Sequence, residues 1–213
     1  MRWAIAGAIA ALCLLVPDRD YTTWLLGLIM GALVSLYVFV RDDVPAWIER
    51  YLHGGLGERR TAKALSSLHS RGYVVRHDLQ RGRGNWDHIV VGPGGVFLID
   101  SKVLGGAVGV DGDRVHVIRG TEMLDNYSEP LGRRIRGQAY GLHREISSTT
   151  GLRPWVQGII CFWNDFDEGV YENEGAVFVH GSRLAEWIAA RPKRLVGADL
   201  RAVLGYLGMQ SKV

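Results

Sequence analysis

The stretch 85–102, NWDHIVVGPGGVFLIDSK, leaves its backbone few choices. Two runs rich in β-branched and apolar residues flank Gly92-Pro93-Gly94-Gly95, and such runs around a Gly/Pro turn make a β-hairpin. Alternate residues of a strand share a face. Val96, Leu98, Asp100 and Lys102 therefore point one way, and Asp87, Ile89 and Val91 point together on the neighbouring strand. The turn sets the register. A four-residue loop (92–95) pairs Val91 with Val96, and a two-residue loop (93–94) pairs Gly92 with Gly95; both place Asp87 opposite Asp100. A three- or five-residue loop would break that match. Directly opposed Cβ atoms lie about 4.5–5.5 Å apart, and like charges so placed destabilise a sheet.

A divalent cation between the carboxylates resolves the conflict, and hard oxygen ligands suit Mg²⁺ or Mn²⁺. Lys102, one strand repeat beyond Asp100, is placed to hold or polarise a metal-bound water. A helix is expected from Glu58 to Ser70, stopped by Gly72, with Ala62, Leu65 and Leu68 as its inward stripe. Glu58 continues that stripe. A helix packed on the same face as the acid pair would bring Glu58 to it as a third metal ligand, although an acid in a first helical turn also serves the helix dipole. Asp87, Asp100, Glu58 and Lys102 together make a site for hydrolysing a phosphodiester. The plain alternative is a solvated strand end. D-x-K alone is a weak signal; the combination of helix acid, strand acid, tight turn and apolar strand ending in D-x-K outweighs it.

Further strands are expected at Tyr73–Leu79, 155–162 and 176–180, with a hairpin of Val108–Val110 and Arg114–Ile118 around Asp111-Gly112. After an irregular stretch Pro130 opens a helix to about Ser148, with Leu131, Ile135, Ala139, Leu142 and Ile146 as its stripe; helices at about 183–190 and 198–207 follow. The order predicts an α/β fold with a mixed sheet. Gln138 stands at the edge of the long stripe. Arg133, Arg134, Arg136 and Arg144 on that helix, with Arg81 and Arg83 in the loop before Asp87, are candidates for phosphate contact, as the net charge of +3 permits. His88 should point away from Asp87, as a packing or hydrogen-bonding residue. Gly92–Gly95 lacks the Lys-Ser/Thr and helix of a P-loop, and Cys13 and Cys161 have no metal or disulfide spacing.

GERRTAKAL, the 85–102 stretch and the helix with Gln138 resemble the nuclease-related domain, the NERD family, within the PD-(D/E)xK nuclease superfamily. The resemblance covers roughly residues 54–180. It implies a restriction-endonuclease-like core, a central mixed sheet flanked by helices, and Mg²⁺-dependent cleavage of DNA. On it, Asp87 and Asp100 would bind metal, Lys102 would orient the attacking water, Glu58 would be the helix acid, and Gln138 a helix residue near the site. Asp100 stands where many relatives carry Glu. A module that keeps the fold and binds nucleic acid, or serves as a scaffold, without turnover is the alternative.

Ahead of this domain (54–213) and a juxtamembrane linker (41–53), residues 3–16 and 24–40 contain no charge. Tyr21–Val40 is long enough for a membrane span, and Pro17-Asp18-Arg19-Asp20 makes a polar turn, so residues 1–40 are expected to form a two-helix transmembrane hairpin in the lipid bilayer. A cleaved signal peptide over 1–16 is the competing reading, though no small-x-small site follows Val16. Arg41, Arg50, Arg59 and Arg60 after the second run, against Arg19 in the turn, place the domain in the cytoplasm at a bacterial-type cell membrane.

Overall fold

The computed structural model describes residues 21–41, 46–81, 84–120 and 122–209. It divides into two units, Met1–Arg50 and Tyr51–Val213.

In the first unit the apolar run forms one helix, α1 (Tyr21–Arg41). Leu25, Leu28, Ile29, Met30 and Leu33 along it stand 47–65% exposed. Among the described residues no helix is long and apolar enough to cross a membrane. A span needs about 20 apolar residues, and the side chains of 36–41 fall outside the description. The first run and its polar turn lie outside the described residues, and the expected two-helix hairpin with them.

The next helix, α2 (Ala46–Leu65), belongs to the second unit from Tyr51 on and continues there into a 3₁₀ turn, Ser66–Arg71. The helix runs through Gly54-Gly55, starting well before the expected Glu58: each glycine in a helix costs only about 1 kcal/mol, which burial of the later turns outweighs. The strands are β1 (Val74–Arg81), β2 (Gly84–Gly92), β3 (Gly95–Lys102), β4 (Ala107–Asp111), β5 (Arg114–Arg119), β6 (Glu122–Glu129), β7 (Val156–Phe162), β8 (Val170–Asn173) and β9 (Ala176–His180). Helix α3 (Leu131–Thr150) separates β6 from β7, and α4 (Gly181–Ala189) and α5 (Gly197–Tyr206) close the chain. Six strands form a mixed sheet in the order β1-β2-β3-β7-β9-β8, with β3, β7 and β9 parallel. A second sheet runs β4-β5-β6. Its first hairpin turns on Gly112-Asp113, one residue later than expected, because Asp111 pairs with Arg114.

Helices cover both faces. On one, the expected α3 stripe of Leu131, Ile135, Ala139, Leu142 and Ile146 is buried, against Leu98, Ile160 and Phe162 at one end and Ile89, Val91 and Val96 at the other. On the other face Leu65, Leu68, Leu184 and Ile188 pack on Val90, Phe97, Ile99 and Val179. Leu65 and Leu68 are buried as expected, but in the turns before them the buried positions are Gly57 and Thr61, each one residue ahead of the expected Glu58 and Ala62; Ala62 is half-buried and Glu58 exposed. A polar contact sets this rotation. The Thr61 hydroxyl, itself fully out of water, accepts from Trp163 Nε1 (2.8 Å) and Ser101 Oγ (2.8 Å) and donates to the Gly57 carbonyl (2.9 Å). Thr61→Val would leave two donors unpaired at about 1–3 kcal/mol each. Urea denaturation should show a loss of roughly 2–4 kcal/mol, with the slope unchanged.

Candidate active site

The β2–β3 ladder runs from Gly92↔Gly95 to His88↔Ile99. This is the register of the two-residue turn, and the next positions beyond it are Asp87 and Asp100. Gly95 closes the turn at φ 130°, and a Cβ there would lie 2.8 Å from the Trp155 carbonyl oxygen, so only glycine fits. On the other side the β1–β2 ladder pairs His77 with His88 and Leu79 with Trp86 but skips Asp78 and Asp87. Asp78 takes a left-handed conformation (φ 57°), and the Asn85 side chain bonds to its carboxylate. Asp87 thus stands where β2 leaves the regular ladder on both sides, and departures of this kind gather at functional sites.

Asp87 Oδ2 accepts the Ser101 backbone N–H at 2.9 Å. Asp100 is held from two sides: Lys102 Nζ lies 2.5 Å from Oδ1 and Arg134 Nη2 2.9 Å from Oδ2. A cavity of about 300 Å³ opens over them, lined by Asp87, Asp100, Lys102, Asn85, Arg134 and Gln138 above an apolar floor.

Burial pushes the Asp87 carboxyl up from 3.8 to about 6; the Asp100 and Glu58 charges push the same way, while the Ser101 N–H and Lys102 oppose. Between those values the folded chain holds a proton that the unfolded chain has lost, so this group makes stability fall as pH rises through that window. His88 acts in reverse. Burial first, then the His77 charge, lowers it from 6.5 to about 4, so stability rises with pH over that range. The two slopes oppose each other. In EDTA, Asp87→Asn should therefore raise the thermal midpoint more at about pH 7.5 than at about pH 5, leaving a profile that climbs with pH.

Of the other expected residues, Gln138 reaches the cavity and Glu58 does not. Helix α2 packs on the sheet face opposite the acid pair, because Thr61 joins Ser101, whose side chain alternates away from Asp100. Glu58 contributes to Asp87 only through its charge. Arg136 makes a double ion pair with Asp113 (2.5 and 2.6 Å), and exposed Arg133 adds its charge at the same turn. The side chain of Arg81 and all of Arg83 lie outside the described residues. His88 points away from Asp87 as expected; it is buried, and its Nδ1 meets His77 Nδ1 at 2.7 Å.

With this geometry in hand, comparison with protein families is informative: residues 53–163 match the model of NERD, the nuclease-related domain. The chain belongs to the NERD family. No curated protein and no solved structure matches it.

Among the described residues of this NERD domain no group of three or more His, Cys, Asp and Glu side chains could hold a metal ion. The donor set is smaller: two carboxylates with hard oxygens, one of them pushed toward its neutral form by burial first and by acid neighbours second. That fits an ion such as Mg²⁺, which keeps several waters and takes one or two carboxylates plus substrate phosphate. Arg134 is the residue the NERD site adds to those weighted most heavily from the sequence. Its signal was spacing, since it sits four residues before Gln138 and so shares its flank of α3.

Proposed function

We propose that this domain hydrolyses phosphodiester bonds of DNA with the help of Mg²⁺ or Mn²⁺, on a restriction-endonuclease-like core. The observation that carries the reading is one cavity joining Asp87 and Asp100 to Lys102, Arg134 and Gln138. Asp87 and Asp100 would hold the ion, which supplies Lewis-acid polarisation of a phosphoryl oxygen and a bound water of lowered pKa. Lys102 orients the attacking water and offsets charge that develops in the transition state. Arg134, a planar two-pronged donor, swings from Asp100 to a phosphate oxygen when substrate arrives. Gln138 offers an amide to a neighbouring oxygen. Ser101 keeps Asp87 aimed through its backbone N–H.

The test uses the full-length chain with single- and double-stranded DNA. Cleavage should require Mg²⁺ or Mn²⁺, stop in EDTA and return on re-addition. Metal-independent cleavage, or equal activity in Asp100→Ala and Lys102→Ala, would sink the reading.

The same proposal places the chain at a lipid bilayer through residues 3–40, with the nuclease-related domain on the cytoplasmic side. The exposed leucines of α1 and the basic residues after it support this. Recovery of the full chain in the supernatant after alkaline carbonate extraction would overturn it.

A further inference from the structure

A second cavity, of about 460 Å³, lies on the other flank of α3, bordered by Tyr140, His143, Arg153 and Trp155. Its volume falls in the range of small-ligand sites, roughly 300–1,000 Å³. Tyr140 is 63% exposed, high for an aromatic ring at the rim of a cavity. Arg153 is exposed and, among the described residues, makes no hydrogen bond or ion pair. The walls are fixed: His143 donates Nδ1–H to the Pro154 carbonyl (2.8 Å), and the Trp155 ring is held edge-on by Phe97 (5.6 Å) with Arg194 over it (4.6 Å).

An unpaired guanidinium fits an anion, and an exposed phenol ring fits a flat apolar face. A nucleotide presents both. On the helical wheel Tyr140 and His143 fall on the opposite side of the buried stripe from Arg134 and Gln138. The ridge between the two flanks carries exposed Arg133 and Arg144, with Gly137 and Gly141 leaving the backbone open. A helix is about 10–12 Å across with its side chains, a distance that a few extended nucleotides span.

We propose that this cavity binds one nucleotide of a single-stranded stretch of the substrate, its base stacked on Tyr140 and its phosphate on Arg153, after the strand has crossed α3 from the acid pair. The assignment rests on the nucleic-acid reading above and adds to it a strand path and a second contact site.

Fluorescence anisotropy tests it, with the full-length chain and a labelled twelve-nucleotide oligothymidylate in EDTA, so that nothing is cleaved. Tyr140→Ala should weaken Kd about fivefold to a hundredfold, the range for loss of one stacked base, while Tyr140→Phe stays within about twofold. Arg153→Ala should weaken binding and reduce the salt slope by about 0.7, the value for one phosphate of a single strand. Unchanged Kd in both Tyr140→Ala and Arg153→Ala overturns the proposal, as does failure of the wild-type chain to bind the oligonucleotide. Thymidine monophosphate binding as tightly as the oligonucleotide overturns the strand path. Cleavage plays no part in this readout. A chain that binds through Tyr140 yet never hydrolyses DNA upholds the cavity and sinks the hydrolytic reading, and one that cleaves with unchanged binding in the variants does the opposite.

Discussion

Lys102→Ala should lower the rate of metal-dependent DNA cleavage at least about a hundredfold, the usual effect of removing one donor aimed at developing charge. The ammonium lies 2.5 Å from Asp100 and borders the cavity, so its loss removes the group that the proposed mechanism uses to orient the attacking water. The fold should survive. Arg134 still holds the other oxygen of Asp100, and the Lys102–Asp100 pair is partly exposed (29% and 18%), where an ion pair contributes about 1 kcal/mol or less. Single-turnover rates and thermal melts on the same preparation separate the two effects. A rate within about threefold of wild type, with the melt unchanged, would remove Lys102 from the chemistry.

Gly158→Val should destabilise the domain by roughly 2–4 kcal/mol, as forced overpacking does, and lower the melting temperature by about 5–15 °C. A Cβ on Gly158 of β7 would sit 2.8 Å from the Ile135 carbonyl oxygen and 3.1 Å from its carbonyl carbon, so relief means moving the α3 backbone rather than turning a side chain. Because α3 carries Arg134 and Gln138, the same substitution should cut activity by more than unfolding accounts for, measured below the melting transition. A melt within about 2 °C of wild type would show that α3 shifts freely at this point.

The site was legible where local rules act alone. The GPGG turn and strict alternation defined the β2–β3 register, and apolar spacing marked the α3 stripe; both depend on residues close in sequence. Partners distant in the chain were not legible. Nothing local tells whether α2 lies above or below the sheet, and the choice rests on Thr61 meeting Ser101 and Trp163, far along the chain. The expected same-face packing of Glu58 failed for that reason. Strand β8, VYEN, is short and half-exposed, and β6, EMLDNYSE, lacks apolar alternation; each is a strand because a neighbour pairs with it. Among the arginines of α3 the sequence offered four similar side chains, and only the direction of the helix singles out Arg134 for the acid pair and Arg136 for Asp113.

The left-handed turn of Asp78 reaches beyond the site. Among the described residues β1 is an outermost strand of its sheet, with one row of backbone donors and acceptors facing no neighbouring strand. A straight row of that kind invites another chain to dock by strand addition, the first step toward aggregates. At Asp78 the row changes direction partway along, and a charged side chain stands at the bend. The distortion that frees Asp87 from its ladder thereby also makes the open margin of the sheet a poor template for intermolecular β-pairing.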